Sequence, residues 1–191
     1  MAGRLAAALA IAALSAAGCG GATKTVTVVH THTVTTTRTE TKTSATRFPA
    51  CTAPQLSGTF GEVPGSAGAG QIEYLLTLKN TSGSGCWMAA GPPTVRLLAA
   101  DGSPLPTKVV PAQDVTRSTP PTTLEPGSAA KAAVRFSPDV AGPGDSQTGP
   151  CQPKAHTLQV TATGGGRVEV PVQPPTSVCE RGTLDFDLLK S

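Results

Sequence analysis

The chain has 191 residues, and at about 100–200 residues per domain this allows a single core plus terminal extensions. Apolar residues make up 38% but aromatics only 3%, so the interior must be built from Val, Leu and Ala, and 21 Gly with 18 Pro but no strict Gly repeat exclude a collagen-like fibre. The formal charge of +3 is +4 ahead of residue 51 and −1 beyond it: residues 51–191 carry ten Lys/Arg against eleven Asp/Glu, with no basic stripe interleaved with aromatics, so nucleic acid is not an expected partner.

Residues 1–22 read MAGRLAAALAIAALSAAGCGGA, with a positive start at Arg4 and an apolar run over 5–14. That run is short of the roughly 20 residues a membrane span needs, and its flanks are those of a secretory signal. Ser15-Ala16-Ala17-Gly18-Cys19 resembles a bacterial lipobox, in which the cysteine thiol is acylated and becomes the new N-terminus. The expected organisation is a lipoprotein signal peptide over 1–18, a lipidated Cys19 with a Thr-rich linker over 19–50, and a folded domain over 51–191.

The linker contains TKTVTVVHTHTVTTTRTETKTSATR at 23–47. Alternating Thr and Val has strand propensity, so an added edge strand is one reading. The run has few large apolar groups, however, and a tether between the lipid and the domain is the expectation. Its 28 residues between Cys19 and Phe48 span about 90–100 Å when fully extended. Threonine at nearly every second position also suggests O-glycosylation. His30 and His32 would point the same way in an extended segment and, with Met88, are candidate copper ligands. Two imidazoles without a third ordered ligand bind weakly, so no cofactor is expected.

Beyond Cys19 the cysteines are Cys51, Cys86, Cys151 and Cys179, an even number in a chain addressed out of the cytosol, and two disulfides are expected. None lies in a C-x-x-C pair, which argues against structural zinc. Spacing alone leaves three connectivities open, but Cys51 precedes one expected strand and Cys86 follows the next, as Cys151 and Cys179 flank a later pair. In an antiparallel hairpin those ends are neighbours, which selects Cys51 with Cys86 and Cys151 with Cys179.

From residue 51 onward, short alternating runs separated by Gly, Pro, Asn, Asp and Ser clusters signal an all-β sandwich or barrel. Expected strands cover 56–60, 71–79, 94–99, 105–110, 129–136, 156–163, 167–172 and 183–189. In 71–79, Ile72, Tyr74, Leu76 and Leu78 share one face. In the last strand Leu184, Phe186 and Leu188 are expected inward, with Thr183, Asp185 and Asp187 outward. Gly164-Gly165-Gly166 joins two strands as a hairpin turn. The count and size predict an immunoglobulin-like antiparallel sandwich of about 7–9 strands.

The ordered set Cys51, LTLKNTSGSGC (76–86), GPPTVRLLAADG (91–102), LEPGSAAKAAV (124–134), CQPKAHTLQV (151–160) and VCERGTLDFDL (178–188) resembles the family known as domain of unknown function 4232. The resemblance covers essentially all of 51–191. It implies a secreted or lipid-anchored β-sandwich protein, mostly of actinobacteria, and supplies no activity and no catalytic residues.

Hydrolytic chemistry would need a proton relay, and the folded part offers only His156, on a strand. Asp185 and Asp187 lie two apart on one face and could serve as a carboxylate pair, though solvent-facing carboxylates more often solubilise and protect an edge. Trp87, beside Cys86, is expected to pack over the disulfide or to stand out as a binding anchor. The sequence therefore points to a non-enzymatic envelope lipoprotein, anchored on the extracytoplasmic face of the membrane, whose domain binds an envelope protein or glycan. Envelope copper binding and an uncharacterised hydrolase are the alternatives.

Overall fold

The computed structural model describes residues 48–112 and 120–191. The expected signal peptide, Cys19, and the Thr-rich run with His30 and His32 lie outside the described residues. What is described is all-β, with ten strands and almost no helix. The strands are β1 (Leu56–Glu62), β2 (Ile72–Asn80), β3 (Cys86–Met88), β4 (Val95–Leu98), β5 (Lys108–Pro111), β6 (Thr122–Leu124), β7 (Ala129–Phe136), β8 (Ala155–Thr161), β9 (Arg167–Thr176) and β10 (Thr183–Phe186).

Eight strands run in the order β4-β8-β9-β1-β2-β7-β10-β5, and β3 pairs with β6 in a separate ribbon. The β1–β2–β7 and β4–β8–β9 groups are what an immunoglobulin-like sandwich places in its two layers. β1 joins them: it is antiparallel to β2 along its whole length and parallel to β9 at Phe60↔Val172 and Gly61↔Gln173. A second parallel pairing, of β10 with β5, makes the arrangement mixed where a purely antiparallel sandwich was expected.

Period-2 alternation explains the core. Tyr74, Leu76 and Leu78 of β2, Ala130, Ala132, Val134 and Phe136 of β7, Leu158 and Val160 of β8, and Val168, Val170 and Val172 of β9 are all buried in one cluster. The aromatic residues form a row, Phe60–Tyr74–Phe136, with ring centroids 5.1 Å apart at each step. Burial of the Tyr74 phenol, and next the charge of Glu62, push its pKa up to about 12, and its hydroxyl donates to the Pro174 carbonyl at 2.8 Å. Gly58 of β1 packs directly against β9 and β2: an added Cβ would lie 2.5 Å from Val170 Cγ2 and 3.2 Å from Leu78 Cδ2.

Both disulfides join the residues that strand order selected: Cys51 with Cys86 (Cα–Cα 4.9 Å) and Cys151 with Cys179 (5.5 Å). The last strand departs from its expected alternation. Asp187 still donates its N–H to Ala133, but the following bridge joins Lys131 to Lys190, which is one residue further than the register before it allows. The extra residue turns Leu188 off the core face and buries Leu189 instead.

β5 lies at the edge of the large sheet. Ala112 donates its N–H to Phe186 of β10, so by strand alternation Pro111 faces the free side, where its missing N–H costs no ladder bond. A proline there also withholds the donor an added strand would need.

Candidate functional site

The outer face of β2, β7, β10 and β5 carries a row of charge fixed by register. Glu73 pairs with Arg135, and Arg135 with Asp185, whose neighbour on β5 is Val110. One row further along, Ala133 lies beside Leu75 and accepts from the N–H of Asp187. A cleft of about 270 Å³ opens here, lined by Gln71, Val110, Pro111, Ala112, Ala133, Arg135, Asp185 and Asp187. The side chains of Val110, Ala112 and Ala133 supply its apolar floor, while Pro111, one row over beside Phe186, belongs to the opposite face. Its walls are polar.

Arg135 offsets the aspartates only in part. Its Nε donates to Glu73 Oε2 at 2.9 Å, the one ion pair among the described residues. That bond, and then the charge of Asp187, hold the guanidinium even more firmly protonated than usual. Asp185 is half-buried and Asp187 exposed, so the cleft keeps a net negative wall over an apolar floor. A cation with an aliphatic stem satisfies both surfaces.

The other expected candidates are elsewhere. His156 is exposed on β8, in a shallow hollow with Asp101, Ser103 and Lys154, and β9, β1, β2 and β7 intervene between it and Asp185 in strand order. The Asp101 carboxylate in that hollow is occupied: Ser103, through its hydroxyl and its N–H at 2.9 Å, holds it below the usual carboxylate range. Met88 is 1% exposed, its thioether inside the core rather than offered to a metal. Cys86 and Met88 point inward, so Trp87, between them on β3, points the other way and is half-exposed.

A second constellation had no signal in the sequence. Asp145, 8% exposed, sits in the Gly/Pro/Ser-rich stretch after β7. Its Oδ2 accepts the N–H groups of Gly142 and Glu180, and its Oδ1 those of Arg181 and the Gln152 side chain. The Gln152 bond first, and then the backbone donors Gly142, Arg181 and Glu180, hold its pKa down to about 2 against the opposing effect of burial. The carboxylate thereby fixes the turn Cys179–Gly182, in which Glu180 (φ 53°) and Arg181 (φ 58°) are both left-handed. Such a conformation costs roughly 1–2 kcal/mol per non-glycine residue, and the bonds to Asp145 offset it. Cys151 and Cys179 come close to this carboxylate, but their sulfurs are joined to each other and its oxygens are fully bonded, so the group is a clamp and not a metal centre.

The family model described as a domain of unknown function (DUF4232) matches residues 51–188. No curated protein and no solved structure matches the chain.

Proposed function

The chain belongs to the DUF4232 family, and from that membership we propose that it is an envelope lipoprotein whose β-sandwich works as a non-enzymatic binding module, with the β7–β10–β5 cleft as its binding surface. The observation that carries this reading is the Asp185/Asp187 pair, which Arg135, itself bonded to Glu73, offsets only in part, beside the apolar Val110, Ala112 and Ala133. Two disulfides agree with an oxidising compartment. Anchoring through Cys19, by the lipobox pattern, would hold the domain to the membrane.

A protein partner fits the cleft better than a glycan. Sugar faces are usually met by aromatic platforms, whereas Phe60, Tyr74, Phe136 and Phe186 are buried and Trp87 lies on the separate ribbon. A volume of about 270 Å³ is below the roughly 300–1,000 Å³ of a drug-sized site. It suits one long side chain, a lysine or arginine stem on the apolar floor with its head between the carboxylates.

Two measurements test the proposal. Labelling cells with an alkyne fatty acid is expected to tag the protein and to leave Cys19→Ala untagged and released from the membrane. A photo-crosslinking residue at Val110 is expected to capture one reproducible envelope protein, lost when Asp185→Asn and Asp187→Asn are combined. Equal capture by the charge-neutralised variant would remove the cleft from the account, and membrane retention of Cys19→Ala would remove the anchor.

A further inference from the structure

We infer that the Cys151–Cys179 disulfide and the Asp145 carboxylate act together as a latch that sets β10 against β5, and so holds the Asp185/Asp187 wall in place. The consequence for ligand binding rests on the reading of the cleft above; the mechanical coupling does not.

The connection can be followed atom by atom. Cys179 is tied through sulfur to Cys151 and through its N–H to the Ser137 carbonyl, just past the end of β7. The next two N–H groups, of Glu180 and Arg181, are taken by Asp145. Gly182 follows at φ 75°, pressed so closely on Pro106 and Thr107 that any side chain would overlap the Pro106 carbonyl oxygen. Thr183 then opens β10, and its partner is Lys108, the first residue of β5. The turn is therefore the corner at which both strands of the parallel pair begin. Two residues later in the same ladder Asp185 meets Val110.

This corner is sensitive because its conformation is not locally preferred. Glu180 and Arg181 both hold left-handed φ, which costs a non-glycine residue, and both N–H groups are bonded to the Asp145 carboxylate that offsets it. Replacing Asp145 by Asn puts an NH₂ where an oxygen now accepts two N–H donors, so two bonds become repulsive contacts. Cleavage of the disulfide by a dithiol, which becomes a disulfide itself as the two cysteines gain the hydrogens, would free Cys179 from Cys151 and leave the turn held only from one side. The β1–β2 ladder shares no bond with this corner.

Hydrogen exchange read by mass spectrometry tests the latch on the full chain. In Asp145→Asn, with both disulfides intact, amides of residues 108–110, 112 and 183–187 are expected to exchange at least about tenfold faster, since bonds to a charged acceptor are lost, while those of β1 and β2 keep their wild-type rates. The Cys151→Ser/Cys179→Ser double variant is expected to give the same local pattern. Unchanged exchange at 183–187 in Asp145→Asn, or equal acceleration in β1 and β2, would overturn the carboxylate's part. Uniform acceleration across the domain in the double variant would overturn the disulfide's part. Because the readout needs no ligand, a cleft that binds no cation would leave these results as they stand.

Discussion

Asn80 and Asp145 show what single polar side chains do inside this lean core. Asn80 is fully buried at the end of β2, donates to the carbonyls of Ser84 (2.8 Å) and Leu124 (3.0 Å), and accepts from the N–H and hydroxyl of Ser82. It thus ties the turn after β2 to β6. Asn80→Ala strands the buried Leu124 carbonyl and releases the turn at Ser82 and Ser84, and is expected to cost about 1–3 kcal/mol in urea denaturation; a change within about 0.5 kcal/mol would contradict its role. Asp145 gives a pH signature instead. Its folded pKa of about 2 lies below the ordinary value of about 3.9, so its stabilisation is complete above the ordinary value and is lost as pH falls from about 4 toward 2. Asp145→Asn is expected to be less stable than wild type at pH 7, with the difference closing toward pH 2. A difference that persists undiminished at pH 2 would contradict this.

At the scale of elements, the strands legible in the sequence are those long enough to alternate. β7 occupies the residues its pattern indicated, and the disulfide partners follow from strand order because hairpin ends are neighbours. β3 and β6 have three residues each, too few to show a period, and they are held by pairing with each other at Trp87↔Thr123. The carboxylate pair two residues apart, Asp185 on β10 and Asp187 just past it, was legible, but the cleft was not. The cleft depends on the parallel pairing with β5, a non-local contact with no turn signal to announce it. The Asp145 clamp was equally hidden, since its partners Glu180 and Arg181 are 35 and 36 residues away. The Cys51–Cys86 disulfide closes a separation of 35 residues, and Cys51→Ser/Cys86→Ser is expected to lower stability by roughly 3–4 kcal/mol on the loop-entropy estimate. A loss below about 1 kcal/mol would mean that β1 and β2 hold the same ends together without it.

For the whole molecule, the features fall into a consistent division of labour. The β1–β2–β7 and β4–β8–β9 layers supply the core, Pro111 guards the edge of β5 against strand addition, and the Asp145 corner fixes the two strands that carry the cleft. The cleft is the place among these where apolar side chains meet carboxylates that Arg135 offsets only in part. Binding there should be electrostatic in origin and weaken with salt, since surface charges are screened over about 3 Å at 1 M against about 10 Å at 0.1 M. The most direct test is a titration of the ¹⁵N-labelled protein with a short oligolysine peptide, followed by amide chemical shifts. Saturable shifts confined to β5, β10 and the Ala133 region are expected, abolished in Asp185→Asn/Asp187→Asn and reduced by salt. Shifts that do not saturate, or that survive in the double variant, would contradict binding at the cleft.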